Sequence, residues 1–596
     1  MKLLFIFIFN FFIANNLLAS SLTVISTTSG EVTGIRKNKV VLYEDIPYAQ
    51  PPVLDLRWKA PREISKPAKI YPKDGNFCIQ RPSGLGGVSS ENFYVGSEDC
   101  LYLDIFTPSK NNIVSKLPVM FWIHGGGNTS GLKDLYDFSK MVSKHDVIVV
   151  RINYRLGPFG WFSHPAIQSL QHDIDKTSNF GTLDIIAALE WVQNNISKFG
   201  GDSDNVTIFG ESAGGHNVLS LMVSKKANGL FHKAISMSGY TSSISARDAY
   251  DPIITSPTSE YSSKKVVKKL LNKFDINKYN GESILHKQRD MLLNVSAKDF
   301  FQIYAERAPF EEIPLLTSDG IVIPDIGLKE ALSREEYVNI VPTIAGYNRD
   351  EVKLWLATAG YFVELDYSLV GSVLRIPKVK LSNEDSFEAF NYYRSSAWGI
   401  RGVDEPLRSL ELAGNKNLYA YRYDWDDHRK FLVGNFKKLI GAAHATEIPL
   451  LTRNYDLVGG YPLSDIIYPP SISKRYTSKN MMLFWTNFAK FGDPGNSTNS
   501  VKWSEYSNLQ GNPNYMIIDK RSKLKMYKQD ISFKNLVNEI ISDNRLNELE
   551  KCVVLLQMFT YVGDDLYEEN IDKYTKKCSR DKSEEFIRNN SSVIEY

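Results

Sequence analysis

The chain has 596 residues, of which 43% are hydrophobic, 12% aromatic and 23% charged, a composition that can fill a large core and is far from that of disordered chains. Lys and Arg number 70 against 68 Asp and Glu, a net charge of +2, and no long basic block offers the footprint that nucleic acid requires. Such a length suits either several ordinary domains or one elaborated α/β domain.

The first residues, "MKLLFIFIFNFFIANNLLASS", carry one Lys, an apolar stretch of about eleven residues broken by Asn10, and small residues from Ala19 to Ser21, which is the layout of a signal peptide over residues 1–21. The stretch falls short of the roughly 20 apolar residues that a membrane-spanning helix needs, and no later segment reaches that length. Export to a secreted or periplasmic location also suits the cysteines. Cys78, Cys100, Cys552 and Cys578 form an even set, and nearest-neighbour pairing would close two short loops, although sequence leaves the connectivity open.

Short apolar runs rich in β-branched and aromatic residues then recur: "LPVMFWI" (117–123), "DVIVVRINY" (146–154), "VTIF" (206–209), "KAISMSG" (233–239), "TIAGY" (343–347) and "LYAYRYDW" (418–425). They read as buried strands. Between the second and third lies "LDIIAALEWVQNNISKFGG", whose Ile185, Ile186, Leu189, Val192 and Ile196 recur at helical spacing before Gly200 and Gly201 stop the helix. This βαβ rhythm predicts an α/β fold with a mostly parallel central sheet flanked by helices, and ligands outside the carboxyl ends of the strands. Residues 246–340 and 360–415 show no alternating strands and read as helical or irregular insertions over those ends. Past about residue 535 the pattern becomes amphipathic and helical, "FKNLVNEIISDNRLNELEKCVVLLQMFTYV", predicting a helical extension over 536–596 that carries the second cysteine pair, with an oligomerisation helix as the alternative.

Chemistry is suggested first by "FGESAGGHNV", where Ser212 stands between Gly210 and Gly214 directly after the third run. GxSxG is short enough to arise by accident, so its partners must be sought. A serine hydroxyl is a weak nucleophile and needs a base, a group that orients the base, and donors for an oxyanion. The donors have the clearest trace. In "FWIHGGGNTS", His124 is followed by Gly125, Gly126 and Gly127 after a strong strand, and three glycines let backbone N–H groups turn toward a ligand, as the HGGG loop of esterases does. Ala213, after the nucleophile, supplies a third N–H beside those of Gly126 and Gly127.

The chain resembles the type-B carboxylesterase and cholinesterase family of α/β-hydrolases. The likeness runs through most of residues 22–535, in "PYAQPPV", "SEDCLYLDIF", "HGGG", "NYRLGPFGWF", "NFGTLDIIAALEWVQNNISKFGGDSDNVTIFGESAGG", "NRDE" and "GAAHATEIPLL". It implies an α/β-hydrolase domain over 22–535 and a triad of Ser212, Glu351 and His444, in the chain order that the fold demands. Glu211 and Ser238 match positions that line or buttress the site in relatives. Read from the residues alone, His444 sits in a small-residue loop after the last core strand, whereas His428, in charged "WDDHRK", reads as solvated and His216 as structural. Asp350 and Glu351 are adjacent carboxylates that sequence physics does not separate; the family pattern favours Glu351.

The resemblance implies hydrolysis of small-molecule carboxylic esters through an acyl-enzyme, with no metal or organic cofactor, and activity that rises with pH through a group near the ordinary histidine value of about 6.5. Cholinesterases hold a quaternary ammonium on a tryptophan within the first disulfide loop. Residues 79–99 contain no Trp, which disfavours choline esters, although Phe93 and Tyr94 could replace part of that surface. Leu54 and Ile185 also depart from the family pattern, which often has Gly and Gln there. The competing readings are a catalytically silent adhesion module on the same fold and a lipase or cholinesterase; the oligomeric state is left open.

Overall fold

In the computed structural model, which describes residues 23–590 apart from 73–74, 88–92, 111–112, 253–260, 306–312, 367–377, 432–433, 459–462, 509–513, 530 and 575–576, the apolar runs lie side by side. The signal-peptide reading falls on residues outside those described. Twelve strands form one sheet: β1 (Thr23–Thr27), β2 (Gly30–Lys37), β3 (Val40–Pro47), β4 (Tyr102–Pro108), β5 (Leu117–Ile123), β6 (Ile148–Ile152), β7 (Gly201–Glu211), β8 (Lys233–Met237), β9 (Thr343–Asn348), β10 (Leu418–Tyr423), β11 (Asn514–Ile518) and β12 (Lys525–Lys528). Their order is β1-β2-β3-β4-β6-β5-β7-β8-β9-β10-β11-β12. From β6 to β11 every pairing is parallel, and the flanking strands are antiparallel.

Strand periodicity places alternate side chains on opposite faces. In β5, Val119, Phe121 and Ile123 join one apolar cluster with Ile185, Ile186, Leu189 and Val192 of helix α1 (Phe180–Asn195). Met120 and Trp122 join the opposite one with Met481, Trp485 and Phe488 of the helix Ile472–Phe491. Both faces are therefore covered, as a parallel sheet requires. Helix α1 ends through a 3₁₀ turn at Gly200, whose φ of 79° supplies the left-handed stop. It is anchored by buried Asp184, which accepts from the backbone N–H of Arg155 at 3.0 Å and from its Nε at 2.8 Å.

The insertions hold helices Ser263–Lys273, Ile284–Asn294 and Glu384–Gly399, but they also contain two short strand pairs, Ile244–Ser245 with Thr317–Ser318 and Val363–Asp366 with Lys378–Leu381. Elements of two to four residues are too short for a periodicity to announce them. Leu54 has φ 51°, a left-handed conformation that strains a residue with a side chain. The two disulfides are Cys78–Cys100 and Cys552–Cys578. The C-terminal extension holds helices Phe533–Ser542, Glu548–Thr560, Tyr567–Tyr574 and Arg580–Asn589; the first two pack on the helix Glu384–Gly399, and Val553, Leu556 and Phe559 are buried in the larger core.

Candidate active site

The parallel register aligns the strand ends. Ile123 of β5 pairs with Gly210 of β7, Glu211 with Met237 of β8, and Met237 with Gly346 of β9, so the residues following those strands emerge along one edge. Ser212 stands between β7 and helix α2 (Ala213–Val223) with φ 60° and ψ −122°, a conformation that costs about 1–3 kcal/mol for a residue with a side chain. Two backbone bonds hold it there: Ser212 N–H donates to Met237 O at 2.9 Å, and His216 N–H donates to Ser212 O at 2.9 Å. The flanking glycines are steric necessities. A Cβ on Gly214 would stand 2.0 Å from Ile123 O, and one on Gly210 would stand 2.6 Å from the Gly214 carbonyl.

The HGGG loop lies against this elbow, since a Cβ on Gly125 would meet Glu211 O at 2.7 Å and Ser212 Cβ at 3.0 Å. Gly126 and Gly127 have φ of 102° and 63°, the left-handed region that glycine enters without penalty. The Gly126 carbonyl is turned back to accept from the N–H groups of Thr129 and Ser130 at 3.1 and 2.9 Å. Tyr154 secures the loop's start: its hydroxyl donates to His124 O at 2.7 Å and its ring stacks on the His124 imidazole at 4.5 Å. The N–H groups of Gly126, Gly127 and Ala213 donate to no acceptor among the described residues. Three backbone donors beside one serine are an arrangement suited to a developing oxyanion.

His444 is buried in the loop after β10. Its Nδ1 lies 2.6 Å from Glu351 Oε2, and its own N–H donates to Glu351 O at 3.1 Å. Glu351 Oε1 accepts from Asn348 N–H at 2.7 Å. Asn348 also donates from Nδ2 to Ala443 O at 2.7 Å and to Glu447 Oε2 at 2.5 Å, so one residue ties the acid to the histidine loop. Asp350 points elsewhere. Its carboxylate accepts from Arg349 Nη2 at 2.6 Å, Ala442 N–H at 2.9 Å and Asn391 Nδ2 at 2.8 Å, which separates the two neighbouring carboxylates by role.

On the other side of the imidazole, His444 Nε2 stands 3.1 Å from Glu211 Oε1 without an aligned hydrogen bond. Glu211 immediately precedes Ser212 in the chain, so this edge of the ring meets the residue before the elbow, while no hydrogen bond joins His444 Nε2 to Ser212 in the structure. Two indoles flank the ring, Trp355 at 5.0 Å and Trp398 at 4.8 Å between centroids, and they stack on each other at 6.0 Å. Burial works against protonation of His444, but Glu211 and Glu351, with Glu447 behind them, outweigh it and move the group upward from 6.5. Burial pushes Glu211 up to about 7 and Glu447 up to about 8. The pull on the imidazole therefore weakens as these carboxylates take up protons.

Ser238 follows β8 with φ 47° and donates its N–H to Gly346 O at 2.7 Å. Its Oγ is buried and meets no hydrogen-bonding partner among the described residues. His216 is structural, with Nδ1 at 2.8 Å from Tyr240 O and its ring stacked on Tyr240. His428 corrects the expectation of a solvated side chain: it is buried, with Nδ1 against Ile467 O and Nε2 2.7 Å from Gly441 O. Asp426 and Asp427 stay near enough to favour its protonated form, but burial outweighs them and holds its pKa below the ordinary histidine value. Among the described residues no group of three or more His, Cys, Asp or Glu is arranged to hold a metal ion.

Trp355, Trp398, Asn348 and Glu447 escape a reading of the sequence. Glu447 lies within "GAAHATEIPLL" and Trp355 four residues after Glu351, but an apolar ring or a single carboxylate in a loop gives no periodic signal. Glu447, at the third residue after His444, and Asn348, which opens "NRDE" three residues before Glu351, sit near enough to singled-out residues to have drawn notice.

The model of the carboxylesterase family matches residues 21–364 and 388–534. A para-nitrobenzyl esterase of Bacillus subtilis (strain 168) is 33% identical over 500 residues, covering 81% of this chain and 92% of its own, and carboxylesterase 1D of Rattus norvegicus is 31% identical over 542 residues, covering 83% and 89%. Among solved structures, a PNB esterase superposes with a TM-score of 0.65 at 28% identity, covering 87% of this chain and 99% of that one. A carboxylesterase of Geobacillus stearothermophilus gives 0.63 at 26% identity over 86% and 99%. The chain therefore belongs to the carboxylesterase family, carboxylic ester hydrolases of the α/β-hydrolase fold.

Proposed function

We propose that the protein hydrolyses small-molecule carboxylic esters through an acyl-enzyme on Ser212. His444 takes the Ser212 proton as the hydroxyl oxygen attacks the ester carbonyl, and the resulting oxyanion lies against the N–H groups of Gly126, Gly127 and Ala213. The C–O bond to the alcohol breaks as His444 returns the proton to the departing oxygen. Water then attacks the acyl group, again giving its proton to His444, and the acid leaves with Ser212 restored. Glu351 fixes the imidazole so that Nε2 is the basic nitrogen, and it stabilises the imidazolium formed in each step. Glu211 lines the same edge of the ring, while Ser238 buttresses the strand-end row.

The reading is carried by one observation: His444 has Glu351 2.6 Å from Nδ1 and, 3.1 Å from Nε2, Glu211, the residue before the strained Ser212 elbow. Support also comes from the three N–H groups around that elbow that lack acceptors among the described residues. Choline esters stay disfavoured, because Phe93 and Tyr94 pack on each other at 5.3 Å and against the cluster around Trp58. The layout of residues 1–21 and the two disulfides support export, and the family match over 21–364 and 388–534 supports residues 22–535 as the hydrolase domain and 536–596 as its extension.

The test is fluorophosphonate labelling of the mature protein beside Ser212→Ala, with nitrophenyl esters of rising acyl length. Wild type should take one label and cleave esters, and Ser212→Ala should do neither while keeping its fold. A wild type that takes no label and cleaves nothing would return the chain to the adhesion-type reading.

A further inference from the structure

The C-terminal extension lies outside the residues matched by the family model, which end at 534, yet it packs on a ring that touches the candidate catalytic histidine. Tyr561, just past the helix Glu548–Thr560, packs edge-on to Trp398 with centroids 5.4 Å apart, and Trp398 is one of the two indoles against the His444 ring. Trp398 is itself held by its Nε1, which donates to Gly239 O at 3.1 Å. The guanidinium of buried Arg394 lies over the Tyr561 ring, 5.5 Å from its centroid. A continuous file of rings thus runs from the extension to the imidazole.

The segment carrying Tyr561 is fastened rather than draped. Arg401 sits in a π-helical turn, Ile400–Asp404, directly after Trp398, the kind of irregularity that tends to mark functional sites. Its guanidinium donates to the carbonyls of Phe559 at 3.0 Å, Tyr561 at 2.8 Å and Asp564. Between them Val562 is held at φ 69°, a conformation that a β-branched residue adopts only where its surroundings impose it. From the other side the Thr241 and Ser243 N–H groups donate to Val562 O and Asp564 Oδ1, joining the segment to the loop that follows β8.

The extension also braces the elements that bear both indoles. Glu550 accepts at one oxygen from Tyr361 at 2.9 Å and from Ser386 at 2.6 Å. Tyr361 follows the short helix of Trp355, and Ser386 opens the helix of Trp398. Tyr393, on that same helix, donates to Asp543 at 2.8 Å.

We propose that the C-terminal extension forms part of the reaction centre, with Tyr561 as a positioning residue that holds the His444 imidazole, through Trp398, at the angle proton transfer needs. This rests on the assignment of His444 as the base. A flat ring filling the space behind an indole resists tilting of that indole, and displacements of about 1 Å at a catalytic group cost up to roughly a hundredfold in rate. The indole's orientation also decides how its π face meets the imidazolium formed between Glu211 and Glu351, with Glu447 behind.

The experiment compares Tyr561→Leu, which keeps apolar volume without the flat ring, and Tyr561→Phe with the full-length wild type, using a nitrophenyl ester and dividing each rate by the fraction of molecules that take a fluorophosphonate label. Tyr561→Leu should lower kcat about tenfold with KM within about twofold, and it should displace the acid limb of the kcat/KM profile by about half a pH unit. Tyr561→Phe should stay within about twofold of wild type in all three. The inference falls if Tyr561→Leu keeps wild-type kcat and limb, if KM rises while kcat holds, or if Phe fails as Leu does. Should Tyr561→Leu not fold, the double substitution Cys552→Ser with Cys578→Ser, assayed below its own Tm, decides: a several-fold fall in kcat at unchanged KM supports the inference and an unchanged kcat overturns it. A wild type that takes no label refutes the esterase mechanism instead, so the two failures are distinguishable.

Discussion

Oε2 of Glu351 lies 2.6 Å from Nδ1 of His444, while Asp350, one residue earlier, spends its carboxylate on Arg349, Asn391 and the Ala442 N–H. The backbone turn after β9 sends adjacent side chains in opposite directions, one to the imidazole and one to the packing beneath it. Glu351→Gln should therefore lower kcat by roughly 10⁴-fold at little change in thermal midpoint, the penalty for a mis-oriented imidazole. Asp350→Asn should do the reverse, costing about 1–3 kcal/mol of stability by weakening buried hydrogen bonds, with kcat per labelled site within about tenfold of wild type. Calorimetry and active-site titration of both variants separate the outcomes, and an exchange of the two phenotypes would refute the assignment.

Glu211 gives a pH prediction. A carboxylate facing His444 Nε2 favours the protonated imidazole, and protonated His444 is not a base, so activity is lost as pH falls through its raised pKa. The acid limb should thus lie above the ordinary histidine value near 6.5, not at it as the unperturbed residue would give. Glu211→Gln removes one negative charge and should move the limb to lower pH by about half a unit or more. A limb that stays in place or rises in kcat/KM profiles of the variant would remove Glu211 from this role.

The elbow glycine provides a steric prediction. A Cβ at Gly214 would stand 2.0 Å from the Ile123 carbonyl oxygen in the middle of the sheet, whereas one at Gly229 meets nothing within 4 Å. Gly214→Ala should destabilise by about 3 kcal/mol or more, since backbone must shift. Gly229→Ala, at φ 79°, carries only the left-handed penalty of about 1–2 kcal/mol. Urea unfolding of the pair would check the ranking, which reverses if the Gly214 backbone relaxes freely.

The disulfides close loops with sequence separations of 22 and 26 residues, so in the chain-entropy picture each stabilises by about 3–4 kcal/mol. Replacing Cys552 and Cys578 by Ser should lower the thermal midpoint of the extension and expose its amides to hydrogen exchange before those of β5 or β7. Replacing Cys78 and Cys100, buried beside the larger core, should lower the midpoint of the main domain. Equal exchange patterns in both variants would show that the molecule unfolds as one unit.

Much of this protein was legible in its sequence because periodicity and punctuation are local. The continuous apolar run "LPVMFWI", helical spacing from Ile185 to Ile196 and the glycines around Ser212 each report backbone geometry within a few residues, and so β5, β7, α1 and the serine elbow could be placed before any coordinates. The antiparallel flank from β1 to β4 was not, because β2 and β3 mix polar and charged residues with apolar ones instead of forming a continuous apolar run, and the strand pairs inside the insertions are only two to four residues long.

What the tertiary structure alone decided is which groups meet. Asp350 and Glu351 are equivalent as sequence, and direction in space distinguishes them. His428 looks solvated among charges yet lies between two carbonyl oxygens. The rings of Trp355 and Trp398 meet the imidazole of His444, and that of Tyr561 meets Trp398, from segments about a hundred or more residues away in places, through packing that leaves no periodic trace. Local pattern determines the elements, because dihedral preference and amphipathicity act over a few residues; proximity between distant side chains, and with it proton affinity, exists only once the chain has folded.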